Sequence, residues 1–98
     1  MSDQQSNNEV RLNEAQSRYE ILVDGQVAGY TAFSERGDVR DFNHTVVLPE
    51  YRGQGLSSPL IQVALDETRE QGKKIIPTCS AVARFLAKNE DYQDLVAQ

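Results

Sequence analysis

Alternating apolar and polar positions fill the first half of the chain and predict β-strands there. The pattern covers four segments, residues 10–13, 18–23, 26–34 and 39–48. Asp24-Gly25 separates the second segment from the third by two residues, and this dipeptide favours a tight antiparallel hairpin. On the fourth segment, unbroken alternation predicts one shared face for Phe42, His44, Val46 and Leu48.

The second half of the chain changes to the spacing of amphipathic helices. The first helix has its apolar stripe at Leu56, Leu60, Val63 and Ala64. Ser58 suits its N-cap, Pro59 its first helical position, and Gly72 a left-handed C-terminal cap. Residues 74–78 predict a short strand interrupted by Pro77. Cys79 and Ser80 then open a second helix.

The order of these elements is four strands, a helix, a strand and a helix. Hairpin-linked strands pair antiparallel, whereas a strand that follows a crossover helix pairs parallel. We therefore expect an α/β fold of the α+β type: a mixed, mostly antiparallel sheet with one parallel β-α-β crossover and a final helix. Residues 9–98 are expected to form a single domain, preceded by a disordered polar tail at residues 1–8.

Composition narrows the class of protein. The 98 residues are 39% hydrophobic and 26% charged, as in ordinary globular domains, and no apolar run reaches the length of a membrane span. The net charge of −5 disfavours nucleic acid and anionic lipid as partners. The polar N-terminus lacks the features of a signal peptide, so a cytoplasmic protein is expected. One cysteine excludes an internal disulfide.

Residues 49–59, Pro-Glu-Tyr-Arg-Gly-Gln-Gly-Leu-Ser-Ser-Pro, connect the long strand to the first helix. Two glycines let the backbone turn sharply and expose N–H groups where a helix begins, which favours a bound phosphate. A P-loop would need Lys followed by Ser or Thr after the glycines, and a dinucleotide-binding fingerprint would need a third glycine at Ser58. Neither pattern is present.

The run Val-Val-Leu-Pro-Glu-Tyr-Arg-Gly-Gln-Gly-Leu resembles the acyl-CoA-binding motif of the GNAT superfamily of N-acyltransferases. Arg52, Gly55 and Ser57 occupy the motif positions, with Ser57 in place of the usual Gly or Ala. The resemblance implies a GNAT-like fold, acetyl-CoA as co-substrate, and direct attack by the amine of a small molecule or protein. The implied cofactor-binding residues are Val46, Val47, Leu48, Arg52, Gly53, Gln54, Gly55, Leu56, Ser57 and Ser58. It also implies that a backbone N–H among residues 46–48, re-aimed by a bulge, stabilises the oxyanion.

Two departures from the family pattern keep a non-catalytic CoA-binding module as the alternative. The family's proton-donating tyrosine is replaced at Leu86, and residues 12–19 leave no room for the helices that usually shape the acceptor pocket. The candidate substitutes for this donor are Tyr92, Tyr51 and Tyr30, with a packing or surface role as the alternative for all three. The 3′-phosphate of the nucleotide would meet either Arg84 with Lys88 or Lys73 with Lys74.

Two side chains carry candidate catalytic chemistry. His44 is the only histidine, and its ordinary pKa suits a general base near neutrality. Cys79 lies at a predicted helix start, where a thiol pKa falls, so the thiol could take an acyl group or form a mixed disulfide with CoA. The structural alternatives are a hydrogen-bonded core histidine and a small buried cysteine. No metal site is predicted.

Overall fold

The computed structural model describes residues 8–97 and contains one five-stranded sheet with the strands in chain order. The strands are β1 (Asn8–Asn13), β2 (Arg18–Val23), β3 (Gln26–Arg36), β4 (Val39–Val47) and β5 (Lys74–Ile76). The helices are α1 (Ser57–Glu70) and α2 (Ser80–Lys88), with 3₁₀ turns at Glu14–Gln16, Pro49–Tyr51 and Glu90–Leu95. β1 to β4 pair antiparallel and β4 pairs parallel with β5. The predicted mixed fold with one parallel crossover is confirmed.

Backbone φ angles in the turn explain the hairpin between β2 and β3. Asp24 and Gly25 have φ of 51° and 85°, and two positive φ angles are what a type I′ turn requires between right-twisted strands. The predicted hairpin is therefore confirmed. The predicted tail falls mainly on residues 1–7, outside the described part of the chain, and Asn8 already belongs to β1. The single domain over residues 9–98 stays a prediction.

Helix α1 lies across one face of the sheet and contacts all five strands. Between them lies the core, formed by buried helix residues and by the inward-facing side chains Tyr19, Ile21, Phe33, Phe42 and Ile75. Each large apolar side chain buried there contributes about 1.5–3 kcal/mol of transfer free energy. No helix within residues 8–97 is long and apolar enough to cross a membrane.

The two ends of α1 show different outcomes for the predicted caps. Gly72 has φ of 74°, and the Lys73 N–H reaches the Thr68 carbonyl at 3.1 Å, so the left-handed C-terminal cap is confirmed. The predicted N-cap at Ser58 is wrong, because α1 begins at Ser57 after Leu56. The Leu56 side chain is only 4% exposed. Because this side chain is buried in the core, the helix begins two residues earlier than predicted.

A β-bulge in β4 overturns the predicted face of that strand. Phe42 pairs with Phe33 and His44 pairs with Ala32, so Asn43 is an extra residue and alternation is interrupted. His44 and Val46 consequently lie on the face opposite Phe42, away from α1, while Thr45 and Val47 take the helix-facing side. The prediction that Phe42, His44, Val46 and Leu48 share a face is wrong. The bulge also lies earlier than the predicted position at residues 46–48.

A buried guanidinium ties the sheet to the end of α1. Arg40 is 4% exposed, and its Nη1 donates to the Tyr19 hydroxyl at 2.8 Å and to the Thr68 hydroxyl at 3.2 Å. Its Nη2 donates to Gln71 Oε1 at 2.8 Å, and Glu35 lies 3.7 Å from Nε. Removing a partner from such a buried charge would lower the free energy of unfolding. Because the partners include Thr68 and Gln71 at the end of α1, this network fixes the orientation of that helix on the sheet.

On the opposite face of the sheet, Glu20 is a buried carboxylate with several donors. It is 3% exposed and accepts from Arg18 Nε at 2.9 Å and Asn13 Nδ2 at 3.0 Å, with Arg11 at 3.9 Å. Burial by itself raises the pKa of Glu20, but the hydrogen bonds from Asn13 and Arg18 and the charges of Arg18 and Arg11 outweigh it and lower the pKa. The ionised form is therefore favoured by folding.

This arrangement predicts a pH-dependent contribution to stability. A carboxyl with a depressed folded pKa stabilises the protein above its unfolded pKa, near 4.3, and loses that contribution as pH falls through the folded pKa. We expect Glu20→Gln to lower the free energy of unfolding by about 1–3 kcal/mol at neutral pH. Urea titrations across pH should show this difference shrinking as pH falls below about 4.

The control is Glu9→Gln on the neighbouring edge strand, where the side chain is exposed. Its effect should stay within about 0.5 kcal/mol at every pH. A Glu20→Gln deficit that persists undiminished in acid would show that side-chain charge is not what stabilises this position.

Candidate functional site

The candidate site lies where β4 and β5 separate. Their parallel pairing covers only Val39 to Asp41 of β4, and the last link between the two chain segments is the Cys79 N–H donating to the Phe42 carbonyl at 2.8 Å. Beyond this link, β4 continues to Val47 with β3 on one side only. Its other edge therefore borders a cleft.

The orientation of the backbone decides which N–H groups face that cleft. Leu48 N–H donates to the Ala28 carbonyl at 2.8 Å, and antiparallel pairing turns alternate residues toward the partner strand, so Val46 also faces β3. Val47 faces outward, because its carbonyl accepts from Arg52 Nε at 3.1 Å. Of the predicted residues Val46, Val47 and Leu48, only Val47 directs its N–H to the cleft.

Gly29 permits the close approach of β3 to this part of β4. A Cβ added at Gly29 would lie 2.6 Å from the Val46 carbonyl oxygen and 3.2 Å from Val47 Cα, both backbone atoms. Any side chain at this position would push the strand that carries the outward-facing Val47. Glycine is therefore required here by contact, not by backbone conformation.

The predicted anion cradle forms a tight loop before α1. Gly53 and Gly55 have φ of 86° and 71°, and Leu56 anchors the loop in the core. Gln54 is exposed at the tip, and Ser57 and Ser58 lie in the first turn of the helix. Among residues 8–97, no acceptor hydrogen-bonds the N–H groups of residues 53–58. These donors and the positive end of α1 form a site suited to a diphosphate.

A cavity of about 190 Å³ lies between this first turn and α2. Its walls are Ser57, Ser58, Ile61, Ala81, Arg84, Phe85, Lys88 and Asn89. Within the described chain, Arg84 and Lys88 make no hydrogen bond or ion pair, whereas Lys73 binds Glu35 and Lys74 Nζ donates to the Asp94 carbonyl. Of the two predicted basic pairs, only Arg84 with Lys88 borders the cavity.

Cys79 is at the N-cap position of α2, as predicted, and is half-buried. Its Sγ lies 3.3 Å from the Thr45 hydroxyl, which lies 2.9 Å from the buried Thr31 hydroxyl. Burial raises the pKa of the Cys79 thiol, but the Thr45 hydroxyl and backbone N–H groups of Val82, Ala81 and Thr45 outweigh it and lower the pKa. The Cys79 side chain makes no capping hydrogen bond to the first turn of α2.

His44 lies on the other face of β4. It is exposed, and its ring centroid is 6.2 Å from that of Tyr30, so the alternative of a core histidine is wrong. The bulge at Asn43 separates the two candidate catalytic residues: Thr45, next in sequence, points to Cys79, while His44 points to the open face of the sheet. A general base there would act on a group approaching from solvent.

The substitute proton donors are engaged elsewhere. The Tyr92 hydroxyl lies 2.7 Å from Asp66 Oδ1, and its ring packs on Phe85 at 5.3 Å between centroids. The Tyr51 hydroxyl lies 3.5 Å from Gln26 Oε1. Leu86 is 4% exposed. No tyrosine lines the cavity beside the cradle, so the acid of the family pattern has no tyrosine equivalent there.

Sequence reasoning missed Thr31 and Thr45. Threonine is common in strands, so neither residue carries a local signal of function. Their proximity to Cys79 depends on the β3–β4 register and on the chain crossing through α1. Only a tertiary contact across 34 positions of sequence brings Thr45 to the sulfur.

Known N-acetyltransferases and N-acyltransferases resemble this chain. Residues 18–95 match the model of the family described as GCN5-related N-acetyl-transferase. The L-amino acid N-acyltransferase MnaT of Escherichia coli K12 is 35% identical over an alignment of 66 residues, and the match covers 59% of this chain and 38% of that protein. An uncharacterized N-acetyltransferase of Archaeoglobus fulgidus is 35% identical over an alignment of 60 residues, and the match covers 54% of this chain and 41% of that protein. The chain thus spans about two-fifths of these relatives.

Two solved structures share the fold. A GCN5-like protein from Staphylococcus aureus, solved by NMR in solution, has a TM-score of 0.71 at 25% identity and covers 95% of this chain and 91% of that one. The crystal structure of nourseothricin acetyltransferase has a TM-score of 0.50 at 18% identity, over 82% of this chain and 67% of that one, and bears on the fold alone.

Proposed function

The chain belongs to the GCN5-related N-acetyltransferase family, and on this basis we propose that it is an acyl-CoA-dependent N-acyltransferase. It transfers an acetyl group from acetyl-CoA to an amine of a small molecule or protein. The observation that carries this proposal is the loop at residues 53–58, whose N–H groups have no acceptor within the described chain. The Val47 N–H on β4 and the cations Arg84 and Lys88 on α2 supply further binding groups for an acyl-CoA.

The cradle binds the diphosphate of the co-substrate. Gly53 and Gly55 bring bare backbone close to the phosphate oxygens, and the first turn of α1 adds the N–H groups of Ser57 and Ser58. Arg52 acts indirectly, since its bond to the Val47 carbonyl holds the loop against β4. Because the chain has a net charge of −5, these local donors and the cations Arg84 and Lys88 must provide the attraction.

The outer edge of β4 receives the thioester end. Acetyl-CoA, when bound, supplies an activated acyl carbon. The Val47 N–H is the backbone donor that can stabilise negative charge on the carbonyl oxygen, because Val46 and Leu48 direct theirs to β3. One preorganised donor of this kind is worth roughly 10²–10³ in turnover.

Direct attack by the acceptor amine requires a base and a proton for the leaving thiolate. We assign the base to His44, whose exposed ring on the open face is reachable by an amine from solvent. The amine nitrogen bonds to the acyl carbon and loses a proton to His44 while the carbon–sulfur bond breaks, and the departing CoA thiolate takes a proton from solvent. Cys79 is the second catalytic candidate: its thiolate could attack the thioester first and hold the acyl group before the amine takes it.

A specific observation supports the alternative of a non-catalytic CoA-binding module. Leu86 is buried where the family has its tyrosine, and no tyrosine lines the cavity. A module would bind acetyl-CoA and release no CoA with any amine. Binding and turnover therefore have to be measured separately.

Calorimetric titration with acetyl-CoA tests the cradle. Gly55→Ala should weaken binding at least about tenfold, because a methyl group would project into the loop that approaches the diphosphate. The matched control is Gly37→Ala in the β3–β4 turn, where φ is 58° and the added Cβ likewise meets nothing within 4 Å. Both variants bear a similar backbone strain of about 1–2 kcal/mol, so only Gly55→Ala should alter affinity. Equal affinities, or no affinity in the wild type, would contradict the proposal.

Release of CoA over a panel of small amines and lysine peptides tests turnover. His44→Ala should lower the rate by roughly 10²–10⁴ while leaving acetyl-CoA affinity unchanged. His44→Gln, which keeps hydrogen bonding but cannot take a proton near neutrality, should be equally impaired. Unchanged turnover would remove His44 from the mechanism, and binding without release on every amine would favour the module.

Intact-mass spectrometry tests the role of Cys79. After incubation with acetyl-CoA, the wild type should carry one acetyl group, and after oxidised CoA it should carry one CoA as a mixed disulfide. Because the chain has one cysteine, Cys79→Ser should show neither adduct. If the wild type shows no mass change while CoA release proceeds, Cys79 is not an acyl carrier.

A further inference from the structure

The Cys79 sulfur is held by a side chain that neither the motif nor the family assignment marks. Thr45 follows the bulge in β4, and its hydroxyl lies 3.3 Å from Sγ across the opening between β4 and α2. The Thr31 hydroxyl, on the neighbouring strand and fully buried, lies 2.9 Å from that of Thr45. The Cys79 backbone is fixed to β4 as well, through its N–H on the Phe42 carbonyl at 2.8 Å.

The Thr45 and Thr31 hydroxyls can form their hydrogen bonds whether the sulfur is protonated or ionised. With the neutral thiol, S–H donates to Thr45 Oγ1, and the Thr45 proton is free to point to Thr31. With the thiolate, the Thr45 hydroxyl turns and donates to sulfur, and Thr31 donates to Thr45. The distance between the two hydroxyls allows either direction. No proton leaves the pair in this reversal; only the hydrogen-bond direction changes.

We propose that Thr45, oriented by Thr31, is a positioning residue that holds the Cys79 sulfur at the opening of the cleft and favours its ionised form. It acts through its hydrogen bond to the Cys79 sulfur. Its use in catalysis rests on the proposed function, but its effect on the sulfur does not. The lowered pKa of the thiol agrees with this assignment.

Titratable groups on the elements around Cys79 have to be kept constant in a test. On the two elements that flank Cys79, the titratable or charged side chains nearest to it and to Thr45 in sequence are Asp41 and His44 on β4 and Arg84 on α2, while the first two turns of α1 carry no titratable side chain. Substitutions at Thr45 and Thr31 leave all of these in place. A change in ionisation can then be assigned to the hydroxyls.

The experiment measures the rate of Cys79 alkylation by iodoacetamide against pH on the full chain, where no other thiol is present. Thr45→Val, which keeps the shape and removes the hydroxyl, should raise the apparent pKa and slow alkylation at neutral pH about three- to tenfold. Thr45→Ser should restore the wild-type profile within about twofold. Thr31→Val should shift the profile in the same direction by a smaller amount.

The matched control is Thr78→Val, beside Cys79 in sequence, whose hydroxyl binds Asp41 Oδ1 at 2.5 Å and not the sulfur. Its alkylation profile should superimpose on that of the wild type. Thermal unfolding checks that each variant folds, and Thr31→Val keeps the test valid if Thr45→Val does not fold. Profiles of Thr45→Val or Thr31→Val that match the wild type would overturn the inference.

This outcome is separable from that of the proposed function. Alkylation needs no acetyl-CoA, so an absence of CoA binding leaves the Thr45 result unaffected. Conversely, normal acetyl-CoA turnover combined with unshifted alkylation profiles would retain the enzyme and reject the role of Thr45.

Discussion

Everything at the candidate site depends on where β4 stops pairing with β5. Parallel pairing ends at Asp41, and the bulge at Asn43 follows immediately, so the remainder of β4 is held by β3 alone. A strand edge without a partner is normally covered or charged. Here it borders a cleft, and the Val47 N–H is directed into it. The same bulge turns His44 to one face and Thr45 to the other.

The rest of the fold keeps that opening from closing. Helix α1 packs across all five strands, Leu56 anchors the loop that precedes it, and the Arg40 network ties its far end to β2 and β4. At the other side, α2 is bound to β4 through Cys79. The cavity of about 190 Å³ lies between the first turn of α1 and the face of α2 that carries Arg84 and Lys88. These stabilising contacts therefore lie around the cleft and not within it.

The N–H donors and cations proposed to attract an anionic ligand lie in a small part of the surface. A chain with a net charge of −5 has no general attraction for an anionic ligand. The start of α1 and the cations Arg84 and Lys88 border one cavity, next to the donors of residues 53–58. The start of α2 favours a negative sulfur at Cys79.

The sequence by itself determined the order of elements, the mixed sheet, the hairpin at Asp24-Gly25, the cap at Gly72 and the family motif at Arg52, Gly55 and Ser57. These features rest on short-range periodicity, backbone preference and spacing, all of which lie within a few residues of one another. Tertiary structure alone decided that Val47 faces outward, that His44 is exposed and that Thr45, in contact with Thr31, reaches Cys79. Each depends on a strand register, and one extra residue at Asn43 reverses every face that follows it, which alternation along the chain cannot reveal.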